Sequence, residues 1–298
     1  QRDECCHSGG SLEFGADGNL YIGVGDDTNP FASDGYAPID EREGRKPWDA
    51  QRTSGNMNDL RGGILRITPN KNKPGYTIPK GNLFPEGTPN TKPELYVKGC
   101  RNPFRFGIDS RTGWLYWGDV GPDAGVDNEG RGPKGIDEVN QARQAGYFGW
   151  PYFRGARIYK DYDFTTEKSG ESFNPKAPVN DSPNNTGPKE LPPFNESLVW
   201  YSYDKSNEYP WVGIGGKNPM AAPIYYSEDY DSEVKYPDYF DGKPIAYEWM
   251  RNWFYIINLD ENGDYVGVDP FMEHLEFSRP MDVQYSKDGV MYVLEYGQ

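Results

Sequence analysis

The feature that most restricts what this chain can fold into is a hairpin that recurs along it. Residues 14–25, 108–118 and 283–294 share one order: a strand, an Asp-Gly or Thr-Gly pair, then an apolar-aromatic step such as Leu20-Tyr21, Leu115-Tyr116 or Met291-Tyr292. Residues 255–266 carry a weaker copy with Asn262-Gly263 at the tip. The Gly-containing pair predicts a two-residue turn with positive φ, and the alternation around it predicts paired strands. The turn glycines fall at 18, 113, 263 and 289. Their first two intervals are about two and three units of the ~40 to 50 residues a four-stranded propeller blade occupies, and the last fits adjacent hairpins of neighbouring blades. This predicts an all-β propeller, a single domain over 1–298, with loop-rich segments at 29–59 and 160–197. The second of these is close to low complexity around 174–183, so a solvated insertion and a functional loop are both open readings.

Composition agrees with many short strands. The 298 residues include 36 Gly and 26 Pro, and 15 % are aromatic, which supplies a core despite a mean hydropathy of -0.88. A net charge of -15 repels phosphate backbones and anionic lipid, so no nucleic-acid partner is expected, while neutral sugars and cations fit. No run of about 18 apolar residues predicts a membrane span. The chain opens in a motif and stops inside a strand pattern, so it is expected to be part of a longer protein with further domains. Cys5, Cys6 and Cys100 suit one disulfide and one leftover thiol rather than a zinc site.

Three constellations could carry chemistry. His7, one of two histidines, lies in Cys6-His7-Ser8-Gly9-Gly10, where glycines permit close approach and the imidazole can take a proton near neutral pH. Arg101 and Asn102 follow the apolar strand 95–97 and offer a planar donor fork and an amide. The segments around Gly121-Pro122, Asp137-Glu138 and Phe148 combine carboxylates with loop carbonyls, the oxygen-rich setting Ca²⁺ prefers, though without EF-hand spacing. Each has a structural alternative: a core histidine, an arginine paired to an aspartate, a plain turn. No nucleophile elbow, phosphate-binding glycine loop or HExxH motif occurs.

Taken in order, His7-Ser-Gly-Gly-Ser-Leu12, Gly63-Ile-Leu-Arg-Ile67, Gly99-Cys-Arg-Asn-Pro103, Gly121-Pro122, Asp137-Glu-Val-Asn140 and Phe148-Gly-Trp-Pro151 resemble the soluble PQQ-dependent glucose and sorbosone dehydrogenase family. The Cys5-Cys6-His7 start, residues 25–31 and Leu294-Glu-Tyr-Gly297 look like its bacterial multidomain branch, which carries ThuA-like and PKD modules. The resemblance implies a six-bladed propeller, here incomplete at both ends, secreted, periplasmic or at the cell surface, that oxidises an aldose at C1. It implies His7 as general base, Arg101, Asn102, Arg251 and Arg279 as contacts of pyrroloquinoline quinone, the carbonyls of Gly121 and Pro122 on the cofactor's Ca²⁺, and Glu138 with the Phe148 carbonyl on a second Ca²⁺. It departs from the family at Cys6, where an Asp is usual, at Met281, where a second arginine is usual, and in lacking a clear cofactor lysine. It also suggests a disulfide from Cys100 to Cys5 or Cys6. The alternative is a catalytically silent propeller, or a Ca²⁺-stabilised scaffold module, that binds a glycan or a protein through aromatic loops at 200–203, 209–211 and 225–226.

Overall fold

A computed structural model describes residues 6–297. Among them the only helical elements are five single 3₁₀ turns, and the rest is strand and loop. Three main sheets follow one another along the chain, the first six-stranded and mixed, the other two four-stranded and antiparallel. The first runs through the antiparallel strands Leu12–Phe14, Leu20–Val24, Gly63–Pro69 and Leu95–Lys98, with Tyr76–Thr77 beside Gly63–Pro69 and Gly146–Tyr147 parallel to Leu95–Lys98; the second joins Pro103–Ile108, Leu115–Asp119, Asp137–Ala142 and Val199–Tyr201; the third Pro219–Ala221, Ile245–Glu248, Phe254–Leu259 and Tyr265–Pro270. A hairpin of Pro280–Tyr285 with Met291–Glu295 comes after them. The four antiparallel strands of each sheet form a meander, and the architecture is that of a β-propeller.

All four hairpins form, but not with two-residue turns. At each tip the residue opening the loop donates its N–H to a carbonyl beyond the glycine (Gly15 to Asn19, Asp109 to Trp114, Asp260 to Asp264, Ser286 to Val290), and the glycine N–H returns to the carbonyl of that first residue. Only the glycine is left-handed, with φ of 76°, 73°, 81° and 76° at Gly18, Gly113, Gly263 and Gly289. That is a wider turn with a single left-handed residue, so the Asp, Thr or Asn before it needs no positive φ. The unit spacing is also corrected. Gly18 and Gly113 lie in consecutive blades, because the connections 25–62 and 70–94 lengthen the first one. Loop length costs conformational entropy only logarithmically, so such insertions are tolerated.

The blades touch where glycine removes the side chain. A Cβ on Gly107 would lie 2.1 Å from the Ala222 carbonyl oxygen, and one on Gly118 would lie 1.9 Å from that of Pro219. Between the first and second sheets a core of Tyr21, Ile64, Tyr96, Val97, Cys100, Phe106, Leu115, Trp117 and Phe148 is sealed, with the Trp117 and Phe148 rings 4.7 Å apart. The aromatic loops offered as a binding platform mostly serve as core. Tyr201, Tyr209 and Tyr225 are buried, and Trp211 packs on Trp253 and Tyr255.

The two long irregular segments are built onto each other. Asn180, fully buried, donates to the carbonyls of Gln51 (2.9 Å) and Gly55 (2.7 Å), and Ser182 and Asn184 donate to the Asp49 carboxylate. The stretch with the simplest composition is therefore tied down at Asn180, Ser182 and Asn184, while in the hairpin Lys160–Asp163 with Lys168–Ser172 the second strand is exposed along its length and Tyr162 of the first packs on the core.

At the end of the second strand of the third sheet, buried Glu248 accepts from the amides of Asn218 and Arg251 and from the Tyr201 hydroxyl. Burial, with Asp137 nearby, pushes its carboxyl up to about 7. Because the folded state holds this proton more tightly than the unfolded chain, Glu248 opposes folding as pH rises from about 5 to above 7. Denaturation curves of wild type and Glu248→Gln should show the variant gaining on wild type by roughly 1–3 kcal/mol between pH 5 and pH 8; a pH-independent difference would contradict this. Gly113→Ala, with open space around its Cβ, should cost about 1–2 kcal/mol for the left-handed backbone alone. Gly118→Ala should cost more, since it separates two blades, and thermal unfolding of both variants checks the order.

Candidate functional site

The meander decides where the site lies. In an antiparallel sheet the start of the first strand and the end of the second share one edge. His7 precedes the first strand of the first blade, and Asp26 follows its second. Arg101 and Asn102 precede the first strand of the second blade, and Gly121 and Pro122 follow its second. Arg251 and Arg279 occupy the equivalent places in the third blade and after it.

At the first blade, His7 Nδ1 lies 2.7 Å from Asp26 Oδ1. Asp26 is buried, and its carboxylate also accepts from Trp150 Nε1 at 2.8 Å and from the Thr28 amide at 3.1 Å. Three donors meet at this carboxylate, and of the two ring nitrogens it is Nδ1 that faces it. Asp26 thus supplies a carboxylate beside His7, although the residue just before that histidine is Cys6.

The second blade contributes through Asp119. Its carboxylate accepts the backbone amides of Arg101 (3.0 Å) and Asn102 (2.6 Å). The Asn102 side-chain oxygen in turn accepts the Gly9 amide at 2.8 Å, two residues from His7, and the Arg101 carbonyl accepts the Asp26 amide. Arg101 itself is only 7 % exposed, yet among the described residues its guanidinium makes no hydrogen bond; it has an ion pair of 3.8 Å to the exposed Asp123, and its guanidinium lies 5.9 Å from the centre of the Trp150 ring. Asp123 reaches the Tyr203 hydroxyl at 3.5 Å, and the Lys217 ammonium lies 4.4 Å above the Tyr203 ring. Burial and the Asp123 and Asp137 carboxylates push the Tyr203 phenol up to about 12. His7, Asp26, Trp150, Arg101, Tyr203 and Lys217 therefore form one contact-linked group. A nearly buried guanidinium with uncommitted donors beside an aromatic face suits a planar, anionic ligand, so these residues fit a quinone carboxylate.

The other expected contacts lie elsewhere or are engaged. Arg251 spends its guanidinium on the carbonyls of Ser202, Val212, Gly213, Gly215 and Gly216, clamping that loop against Tyr201. Arg279 is exposed, with its guanidinium 5.0 Å from the Trp249 ring. The expected disulfide from Cys100 does not form. Its thiol is free and fully buried in the core between the first two sheets, where burial raises its pKa; Cys5 lies outside the described residues.

Neither expected Ca²⁺ seat fits the ion. The Glu138 carboxylate is wholly buried and accepts from Arg154 Nη1 at 2.5 Å and from the Gly155 amide, while the same Nη1 donates to Asp119 at 2.6 Å. Phe148 donates its amide to the Lys98 backbone carbonyl and packs its ring on Trp117. At the other seat Lys217 Nζ donates to Asp137 Oδ1 at 2.7 Å and to the Pro122 carbonyl at 3.2 Å, and the Gly121 amide donates to the same Asp137 oxygen. A divalent ion about 4 Å from that ammonium meets roughly 8 kcal/mol of repulsion at an effective dielectric near 20. The acidic loop after Asp123 is a turn closed on Asp127 and Asn128. Asp26, Asp119, Arg154 and Lys217 carry much of this site, and of these the sequence offered a role only for Asp119, as one of the acidic side chains of an oxygen-rich cation setting. The available signal was position: Asp26, Asp119 and Lys217 each stand at the same edge of a blade as His7.

Comparison with known proteins accords with this arrangement. Residues 1–187 match the family model described as Glucose / Sorbosone dehydrogenase. The chain is 29 % identical over 168 residues to the HIPL2 protein of Arabidopsis thaliana and 28 % over 186 residues to its HIPL1 protein, covering 51 % and 58 % of this chain but 19 % and 23 % of theirs. The chain thus spans about a fifth of the length of these relatives. Among solved structures it is similar in fold to the PQQ-bound aldose sugar dehydrogenase of Streptomyces coelicolor (TM-score 0.52, 18 % identity, 98 % of this chain and 58 % of that one). It is also similar to the apo-form soluble aldose sugar dehydrogenase of Escherichia coli (TM-score 0.52, 16 % identity, 97 % and 61 %). With its ordered motifs meeting at one edge of a propeller, and more than half its length matched by the family model, this chain belongs to the glucose/sorbosone dehydrogenase family.

Proposed function

We propose that this domain oxidises an aldose at C1 with pyrroloquinoline quinone as acceptor, outside the cytoplasm. The observation that carries this reading is the His7–Asp26–Trp150 relay placed beside the uncommitted guanidinium of Arg101. Arg101 would bind a cofactor carboxylate, and Asn102, tied to Gly9, keeps the His7 loop at a set distance from it. When bound, the quinone supplies the two-electron acceptor for the sugar's hydride. His7 Nε2 takes the proton of the C1 hydroxyl, and the Asp26 carboxylate stabilises the imidazolium that results. Trp150 and Thr28 hold that carboxylate in place so that it does not turn away from the ring. The calcium ions the family resemblance implies are not part of this proposal, since Arg154 and Lys217 stand at their seats. Among the described residues no helix is long and apolar enough to cross a membrane.

One observation favours the rival class, a silent propeller that binds a glycan or a protein, or serves as a scaffold among other domains. With Arg251 committed to its loop and Met281 in place of an arginine, the site has fewer cations for a tricarboxylate than the family resemblance implies. A titration with the quinone, followed by its absorbance and by bleaching with a panel of aldoses, separates the two. Binding at micromolar cofactor and bleaching that vanishes in His7→Ala are expected. Asp26→Asn should bind the quinone normally but bleach it about 10² to 10⁴-fold more slowly, because the imidazole loses its anionic partner. Absence of quinone binding would discard the dehydrogenase and leave the binding or scaffold role.

A further inference from the structure

We propose that Lys217 is a built-in cation of this site, taking the seat at Pro122 and Asp137 that would otherwise accept a divalent metal, so that the domain is indifferent to calcium. The ammonium is held by geometry rather than left to solvent. Its side chain is 3 % exposed, and that of Asp137 is fully buried. It donates to Asp137 Oδ1 and to the Pro122 carbonyl, and the Tyr203 ring lies across it.

The surroundings make this an ion pair that a metal would have to dismantle. Asp137 contributes one negative charge and Lys217 one positive, so the pair is balanced without a further ion. Asp137 Oδ2 is buried without a hydrogen-bond partner, and the Pro122 carbonyl accepts only from Lys217 among the contacts described. Those are the hard oxygens a calcium ion coordinates. Without the ammonium, the Asp137 carboxylate and the Pro122 carbonyl would lose the cation they share. The proximity of Gly135, whose Cβ would fall 1.8 Å from the Pro122 oxygen, and of Gly121, whose Cβ would fall 1.8 Å from the Ile136 oxygen, keeps the two segments too close for either to swing aside. Lys217 also links the seat to the rest of the site, since Tyr203 connects it through Asp123 to Arg101.

The test reads metal binding and stability with neither quinone nor sugar present, so it stands or falls separately from the dehydrogenase reading. After treatment with a chelator, wild type, Lys217→Met and Lys217→Arg are equilibrated with micromolar Ca²⁺, and bound metal and thermal midpoint are measured. Wild type should hold no stoichiometric Ca²⁺ and keep the same midpoint with Ca²⁺ or with chelator. Lys217→Met should bind one Ca²⁺ and melt a few degrees higher at calcium ten times its Kd, and Lys217→Arg should behave as wild type. If Lys217→Met folds only when calcium is supplied, that too supports the assignment. One Ca²⁺ per wild-type chain that is lost in Asp137→Asn would overturn it, as would a folded Lys217→Met that ignores the metal.

Discussion

Asp119 is the anchor on which the candidate site depends. Its carboxylate, buried at the end of the second strand of the second blade, is shared by the Arg154 guanidinium and by the amides of Arg101 and Asn102. A carboxylate out of water is tolerated only with such partners, and an arginine with no exposure needs the two carboxylates of Asp119 and Glu138 to the same degree. Burial beside Asp119 raises the Glu138 carboxyl to about 7 even with Arg154 opposing the shift. Removing Arg154 leaves two buried carboxylates without their cation, and removing Asp119 frees the turn that carries Arg101 and Asn102. The geometry around His7 follows from this, because Asn102 fixes Gly9 and Arg101 fixes Asp26 through their backbones.

A second constraint is the closeness of the blades. Gly23, Gly107 and Gly118 put bare backbone against the carbonyls of Pro103, Ala222 and Pro219. Sheets packed this closely bring strand ends from three blades within reach of one another. Residues more than a hundred positions apart, such as Asp26 and Trp150, then hydrogen-bond directly. The long connections 29–59 and 174–195 close over the same region by pairing Asn180 with Gln51 and Gly55 and Asp49 with Ser182 and Asn184. Ordering these segments limits how far the loops bearing Asp26 and Trp150 can move.

Much of the fold was legible, because hairpins are local. The alternation around Gly18, Gly113, Gly263 and Gly289 marks strands whose partners lie only a few residues away, and all four pair. The turn type was misjudged, since the Asp-Gly signature serves both a two-residue turn and a wider one, and hydrogen bonds beyond the pair choose between them. Blade spacing was misread for a related reason: insertions at 25–62 and 70–94 leave no trace in the strand pattern. Of the candidate site residues, His7, Arg101 and Asn102 do meet, whereas Arg251 is committed to its own loop and Arg279 lies on Trp249. A cation's role depends on which oxygens surround it, and for Arg251 those are carbonyls brought in by the fold.

By itself the sequence determined an all-β chain of glycine-tipped hairpins, acidic overall, with an ordered set of motifs sufficient for its family. These follow from short-range rules: turn chemistry, strand alternation and the identity of contiguous residues. Tertiary structure alone decided which charges meet. It paired Arg154 with Asp119 and Glu138, set Lys217 against Asp137 and Pro122, left the Arg101 guanidinium without a hydrogen bond among the described residues and turned Cys100 inward. The reason is physical: the energy of a charge depends on its burial and on partners a few ångströms away, and in a propeller those partners come from other blades.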